Sequence, residues 1–198
     1  MLRQPQDDAE DVKNNQRLNF TTIKSLLPRT FHLILNLFTV YFFEYAIITS
    51  FADTMGKQMK QLYPERAQDL SIKEYFVFLN FSYQVGVFIS RSSLRFIRIP
   101  PGKVWVLTFF QAINFGFMFV NAKYMYVQNL YILCPVIVWV GLMGGGSYVN
   151  VLHGILDLKT LDKSEKEMAL SLSLLFNDSG IFLASVFSLI MSNTILKV

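Results

Sequence analysis

The chain has 198 residues, 53% hydrophobic, 15% aromatic and 16% charged, with a mean hydropathy of +0.37. Soluble domains carry about a quarter charged residues, so this composition argues against a soluble globular protein and for a membrane protein. A formal charge of +4 and a pI near 9.1 would suit a nucleic-acid binder, but the cations fall in short connectors between apolar runs, which is the pattern of a polybasic membrane edge.

Residues 1–30 are polar and mixed in charge. They lack the apolar core of a secretory signal peptide and read as a cytosolic tail or central loop. A membrane domain over 31–193 follows, with five apolar stretches near 31–52, 74–90, 104–120, 130–156 and 168–190. A helix needs roughly 20 residues to cross a bilayer, and backbone groups in lipid must bond within their own segment, so each stretch is expected to be an α-helix. The runs do not alternate apolar and polar residues, which excludes strands. The second stretch is short, and Phe96 and Ile97 are expected to extend it at the interface; Pro100, Pro101 and Gly102 open the third. Sequons at Asn19, Asn80 and Asn177 are expected to be unused, because they fall in the tail and inside spans. The single cysteine, Cys134, permits no disulfide within the chain.

The connectors predict orientation. If the odd-numbered spans run outward from the cytosol, twelve Lys and Arg lie on the N-terminal side and six on the other. The positive-inside rule then places the N-terminus in the cytosol and the C-terminus on the lumenal side. An odd span number without an internal repeat resembles one half of a transporter, since such machines pair two halves around a midplane site.

Polar residues inside spans are costly and tend to face a bundle interior or water, which makes them candidates for a site. Glu44 lies in VYFFEYAIITS with Tyr41 on its face; it reads as a proton or cation site, or as a carboxyl hydrogen-bonded for packing. On the second span Asn80, Gln84, Arg91 and Arg95 share one stripe. Guanidinium groups there match phosphate or carboxylate oxygens, or act as interfacial anchors that snorkel to the headgroups, the plainer reading for Arg98 and Lys103. In VGLMGGGSYVNVLHGI, Gly141 and Gly145 form a GxxxG pair for close helix packing, Gly144 to Gly146 permit a bend, and Gly146, Asn150 and His153 share a face. His153 is a candidate titrating group, or a neutral hydrogen-bonding one. On the fifth span Ser171, Asp178 and Ser185 are seven apart; Asp178 reads as a proton or substrate site or as an interhelical hydrogen-bonding group. His32, Asn36 and Thr39 form a weaker stripe on the first span, and most aromatic residues are expected to face lipid or neighbouring helices.

No P-loop, GxGxxG, HExxH or GxSxG is present, so enzymatic activity and a cofactor are not expected. Two histidines on different spans and one cysteine also argue against a metal site.

YQVGVFISRSSLR (83–95) resembles the YQxGVFxSRSSLR segment of the battenin family, which includes the protein lost in Batten disease and its yeast vacuolar counterparts. VYFFEY (40–45) is similar to that family's VYFxEY, GLMGGGSYVNVLH (141–153) to its GLLGGxxYVNxxH, and Asp178-Ser179-Gly180 to an aspartate and glycine in its last helix. The match runs in family order over roughly residues 30 to 190. It implies a multi-pass, all-α membrane fold like the C-terminal half of a major-facilitator-like transporter, the last five of eleven spans, in the lysosomal or vacuolar membrane.

The resemblance further implies a role in vacuolar pH homeostasis and basic amino-acid (arginine) transport, with export of glycerophosphodiesters in animal members. The matched polar residues are Glu44, Tyr45, Gln84, Arg91, Tyr148, Asn150, His153 and Asp178. Glu44 and Asp178 are expected to exchange protons, Arg91 to offer charge to an anionic group, and Gln84, Asn150 and His153 to orient substrate or relay protons. The expected partners are the bilayer, protons, a small solute (a basic amino acid or phosphodiester), and an N-terminal half or second copy that completes the path; nucleic acid is not expected. The alternatives are a non-transporting scaffold acting on trafficking or acidification, and an inactive half-length fragment.

Overall fold

A computed structural model of the chain describes residues 5–95 and 97–197, with side chains from Ile23 onward except that of Arg95. Arg3 and Phe96, and the side chains of Lys13, Arg17, Asn19 and Arg95, lie outside the described residues. The architecture is all-α among the described residues: α1 (Pro5–Ala46), a π-helical segment (Ile47–Ala52), α2 (Asp53–Leu62), α3 (Leu70–Lys73), α4 (Tyr75–Ser92), α5 (Trp105–Tyr124), α6 (Leu130–Asp157) and α7 (Lys163–Asn193). Four described helical segments are long and apolar enough to cross a membrane: 23–62, 101–124, 130–157 and 163–193. The chain is a multi-pass membrane protein. The expected span near 74–90 is helix α4, 18 residues long, or about 27 Å at 1.5 Å per residue.

Local chemistry sets several helix boundaries. Asp162 and Glu165 form a capping box at the start of α7: Glu165 N donates to Asp162 Oδ1 at 2.7 Å, and Asp162 N to Glu165 Oε2 at 3.0 Å. Each bond satisfies an amide that has no partner inside the helix. Asn129 caps α6 by accepting from Tyr131 N. Helix α5 ends at Tyr124 and is capped by Met125, in the left-handed region with φ 52°. The following turn is pinned by Asn121, which accepts from Val127 N at 2.8 Å and donates to Val127 O at 2.9 Å.

The first span differs in two ways from its sequence pattern. Helix α1 does not begin after Pro28 but passes through it. A proline inside a helix removes one backbone bond without compelling termination, and Leu26 and Thr30 on either side are fully buried. The span then changes to π geometry over Ile47–Ala52, which shifts the hydrogen-bond register. Ser188 of α7 donates to the Thr49 carbonyl there at 2.9 Å.

Helix α1 packs against α5, α6 and α7, and α4 packs along α6. Two apolar clusters fill the bundle. One joins Phe51, Met55, Tyr75, Leu79, Leu133 and Ile137; the other joins Leu33, Leu37, Val40, Val104, Val151 and Ile155. Glu44 lies on α1 between the stretches that enter these two clusters, and Gly144 does so on α6.

Candidate functional site

The α4–α6 crossing is close because glycines face each other. A Cβ on Gly86 would meet the Val138 carbonyl, and one on Gly141 would meet the Tyr83 carbonyl. A Cβ on Gly145 would strike Ser90 Oγ, which itself donates to the Gly141 carbonyl at 3.3 Å. Small residues that let backbones approach are the usual means of helix association in lipid. The crossing brings Tyr83 and Arg91 of α4 to the edge of α1.

Gly144 performs a different task. Its α-carbon faces the Glu44 carboxylate of α1, and a Cβ there would occupy the space of that group. Glu44 is fully buried. Tyr83 stands beside it, yet no hydrogen bond of good geometry reaches either carboxylate oxygen. A buried polar group without a partner costs free energy and marks either strain or function.

One turn before Glu44, Tyr41 accepts a 2.8 Å hydrogen bond from an Arg91 terminal nitrogen. The guanidinium lies over the Tyr148 ring, 4.5 Å from its centroid, within cation–π distance. Tyr41 also packs against Tyr45 and Tyr148, at 6.1 and 6.0 Å between ring centroids. Arg91 remains exposed and keeps donors free for another group. The arrangement is thus a carboxylate enclosed by α1, α4 and α6, and a guanidinium presented outward by a wall of tyrosines.

The remaining sequence candidates fall in several places. Asp178 is exposed on α7 and accepts from Asn177 Nδ2 at 3.1 Å, within electrostatic reach of Tyr45. Gln84 is exposed on α4 and makes no hydrogen bond among the described residues. Asn150 is buried and both of its side-chain polar atoms are bonded: Oδ1 accepts from Ile99 N at 2.7 Å, and Nδ2 donates to the Gly146 carbonyl at 2.8 Å. It therefore ties the connector before α5 to α6. His153 pairs with Asp157 on its own helix at 2.9 Å. Ser171 and Ser185 return their hydroxyls to their own helix. Glu44, Tyr45, Arg91 and Tyr148 thus meet around Tyr41, Asp178 flanks them, and Gln84, Asn150 and His153 stand apart.

Sequence reasoning missed Tyr83, Thr108, Ser147, Gln111 and Asn114. Asn36 donates to Thr108 Oγ1 and accepts from Ser147 Oγ at 2.7 Å, linking α1, α5 and α6. Gln111 is fully buried beside Asn114, and its Nε2 has no partner. The signal was available: Thr108, Gln111 and Asn114 recur at helical spacing inside an apolar run. Among the described residues no group of three or more His, Cys, Asp or Glu is placed to hold a metal ion.

A family profile described as "CLN3 protein" matches residues 2–198. The chain is similar to "Battenin" of Dictyostelium discoideum, with 38% identity over 161 residues, covering 81% of this chain and 37% of that protein. It is similar to "Battenin" of Canis lupus familiaris, with 32% identity over 195 residues, covering 94% and 41%. "Protein btn1" of Schizosaccharomyces pombe is 35% identical over 153 residues, covering 77% and 36%. The chain spans about two-fifths of the length of these curated relatives. No solved structure matches it.

Proposed function

The chain belongs to the CLN3 protein family, the battenins, and on that premise we propose that it is a transporter unit of the lysosomal or vacuolar membrane. Its proposed role is in pH homeostasis and basic amino-acid (arginine) transport, driven by protons, with its N-terminus cytosolic and its C-terminus lumenal. The observation that carries this reading is Glu44, a fully buried carboxyl group beside Tyr83 that no hydrogen bond of good geometry reaches, separated by one tyrosine from the outward-facing Arg91. A carboxylate in lipid is expensive unless it works; here it would take and release the coupling proton while Arg91 and the tyrosines contact the solute.

Exposed polar groups at span depth support a unit completed by further helices. Gln84, Asp178 and Ser179 are exposed on α4 and α7, a poor arrangement against hydrocarbon. A second helical unit, an N-terminal half or another copy, would cover them and close a path along Tyr45, Arg91 and Asp178.

Arginine uptake into proteoliposomes under an imposed pH gradient tests the reading. The chain is reconstituted alone and together with the N-terminal spans of a relative, as wild type and as Glu44→Gln. Gradient-driven uptake by the completed wild type, lost in Glu44→Gln, is expected. Equal uptake by both would remove Glu44 from the mechanism. Absence of uptake in every pairing, with a protein partner captured through residues 157–168, would favour a scaffold acting on trafficking or acidification.

A further inference from the structure

An open cavity lies far from Arg91. It is an open cleft of about 780 Å³ between the end of α2, the start of α4 and the start of α6. Tyr75, on its wall, precedes Arg91 by 16 residues on one helix, or about 24 Å. Ile72, Tyr75, Phe78, Leu130 and Cys134 make its lining mainly apolar. The walls are fixed by two hydrogen bonds to one residue: Tyr63 donates to Gln128 Oε1 at 2.7 Å, and Tyr75 to the Gln128 carbonyl at 2.9 Å. Apolar clefts of this size with a few fixed polar groups are the usual form of a small-molecule site.

The mouth carries charge of both signs. Arg66 lines it and donates through Nε to Asp69 Oδ2 at 2.9 Å. Both partners are at least half exposed, and the two terminal nitrogens of Arg66 have no partner among the described residues. Tyr131, 91% exposed, also lines the cleft, and Leu62 and Leu70, each immediately before a lining residue in sequence, are exposed as suits a membrane boundary. A guanidinium bound to a carboxylate complements a group in which phosphate and ammonium lie side by side, since arginine nitrogens match phosphate oxygens and the carboxylate attracts the cation.

We propose that this cleft binds one zwitterionic phospholipid from the adjacent leaflet, with an acyl chain against Ile72, Tyr75, Phe78 and Leu130 and the headgroup across Arg66 and Asp69. The site lies at the opposite end of α4 from the Glu44–Arg91 cluster and does not rest on the transport reading.

The only cysteine of the chain, Cys134, lines the cleft and reports occupancy directly. Maleimide modification of Cys134 is timed in the purified chain in detergent, with increasing dioleoylphosphatidylcholine or dioleoylphosphatidylglycerol. Phosphatidylcholine is expected to slow the reaction saturably, and phosphatidylglycerol to require a higher mole fraction. Arg66→Ala should raise the half-protecting phosphatidylcholine fraction about tenfold, the loss of one charge-assisted hydrogen bond. Asp69→Asn should abolish the preference between the two lipids. Leu130→Trp, which fills the cleft, should slow modification without lipid. Equal protection by both lipids in the wild type overturns the headgroup assignment. Slow modification in Leu130→Trp with no protection by either lipid overturns the site.

Discussion

The Glu44 carboxylate occupies the space that a Cβ on Gly144 would fill. Two neighbouring glycines should therefore respond in opposite directions to alanine. At Gly144 the added methyl competes with a buried side chain, and overpacking of this kind costs about 1–3 kcal/mol. At Gly146 the nearest atom to such a Cβ is Leu107 Cδ1 at 3.7 Å, an ordinary contact. There the better helix propensity of alanine contributes up to about 1 kcal/mol. Thermal melts in detergent should show Gly144→Ala below wild type and Gly146→Ala at or above it.

Glu44→Gln should separate stability from transport. The amide keeps the shape of the side chain and removes the cost of burying a carboxylate that no hydrogen bond of good geometry reaches. A melting temperature equal to or above wild type is expected, with gradient-driven flux lost. A fall of several degrees would mean that the carboxylate holds the helices together.

Arg91→Lys should behave as a loss of function rather than a conservative change. Lysine has no planar, forked group that could donate to Tyr41 while staying over the Tyr148 ring as the guanidinium does. Flux should fall nearly as far as in Arg91→Ala, with helical content by circular dichroism unchanged. Tyr41→Phe should cost about 0.5–1.5 kcal/mol, the net value of one hydrogen bond.

Asn150→Ala should loosen the connector before α5. It frees the Ile99 amide, which donates to Asn150 Oδ1, and an orphaned, partly buried donor costs about 1–3 kcal/mol. Hydrogen exchange should rise at Ile99 and its neighbours while the α4–α6 crossing stays protected. Unchanged exchange there, with altered solute selectivity, would return Asn150 to the substrate path.

Asn36→Leu should be the most damaging of the polar changes outside the Glu44 cluster. It removes the side chain joining Thr108 of α5 to Ser147 of α6 and leaves both hydroxyls without that partner. Chemical denaturation should show a loss of about 2–3 kcal/mol.

Much of this was legible in the residues. Apolar run length marks where α5, α6 and α7 lie along the chain, whereas the Asp162–Glu165 capping box that starts α7 was not read from the residues. Glu44 and Arg91 stand out because charge within or beside an apolar run is rare. Less legible was which polar residues meet. Seven- and four-residue steps place Gln84 and Arg91 on one stripe of α4, yet Arg91 reaches Tyr41 while Gln84 points away from any partner in the described bundle. The shared face of Gly146, Asn150 and His153 is likewise a property of one helix, and each of the three has a different neighbour: open space near Leu107, the Ile99 amide and Asp157. Spacing predicts direction from a helix axis and says nothing of what lies opposite.

The sequence by itself determined that the chain is a membrane protein of helices and which family it resembles. Those follow from run length, composition and motif, all local or additive along the chain. The tertiary structure alone decided that Gly144 makes room for Glu44, that Tyr41 and Tyr148 hold Arg91, and that Asn150 ties down a connector. Each of these joins residues distant in sequence, and the first two depend on how closely glycine-bearing faces let the backbones approach.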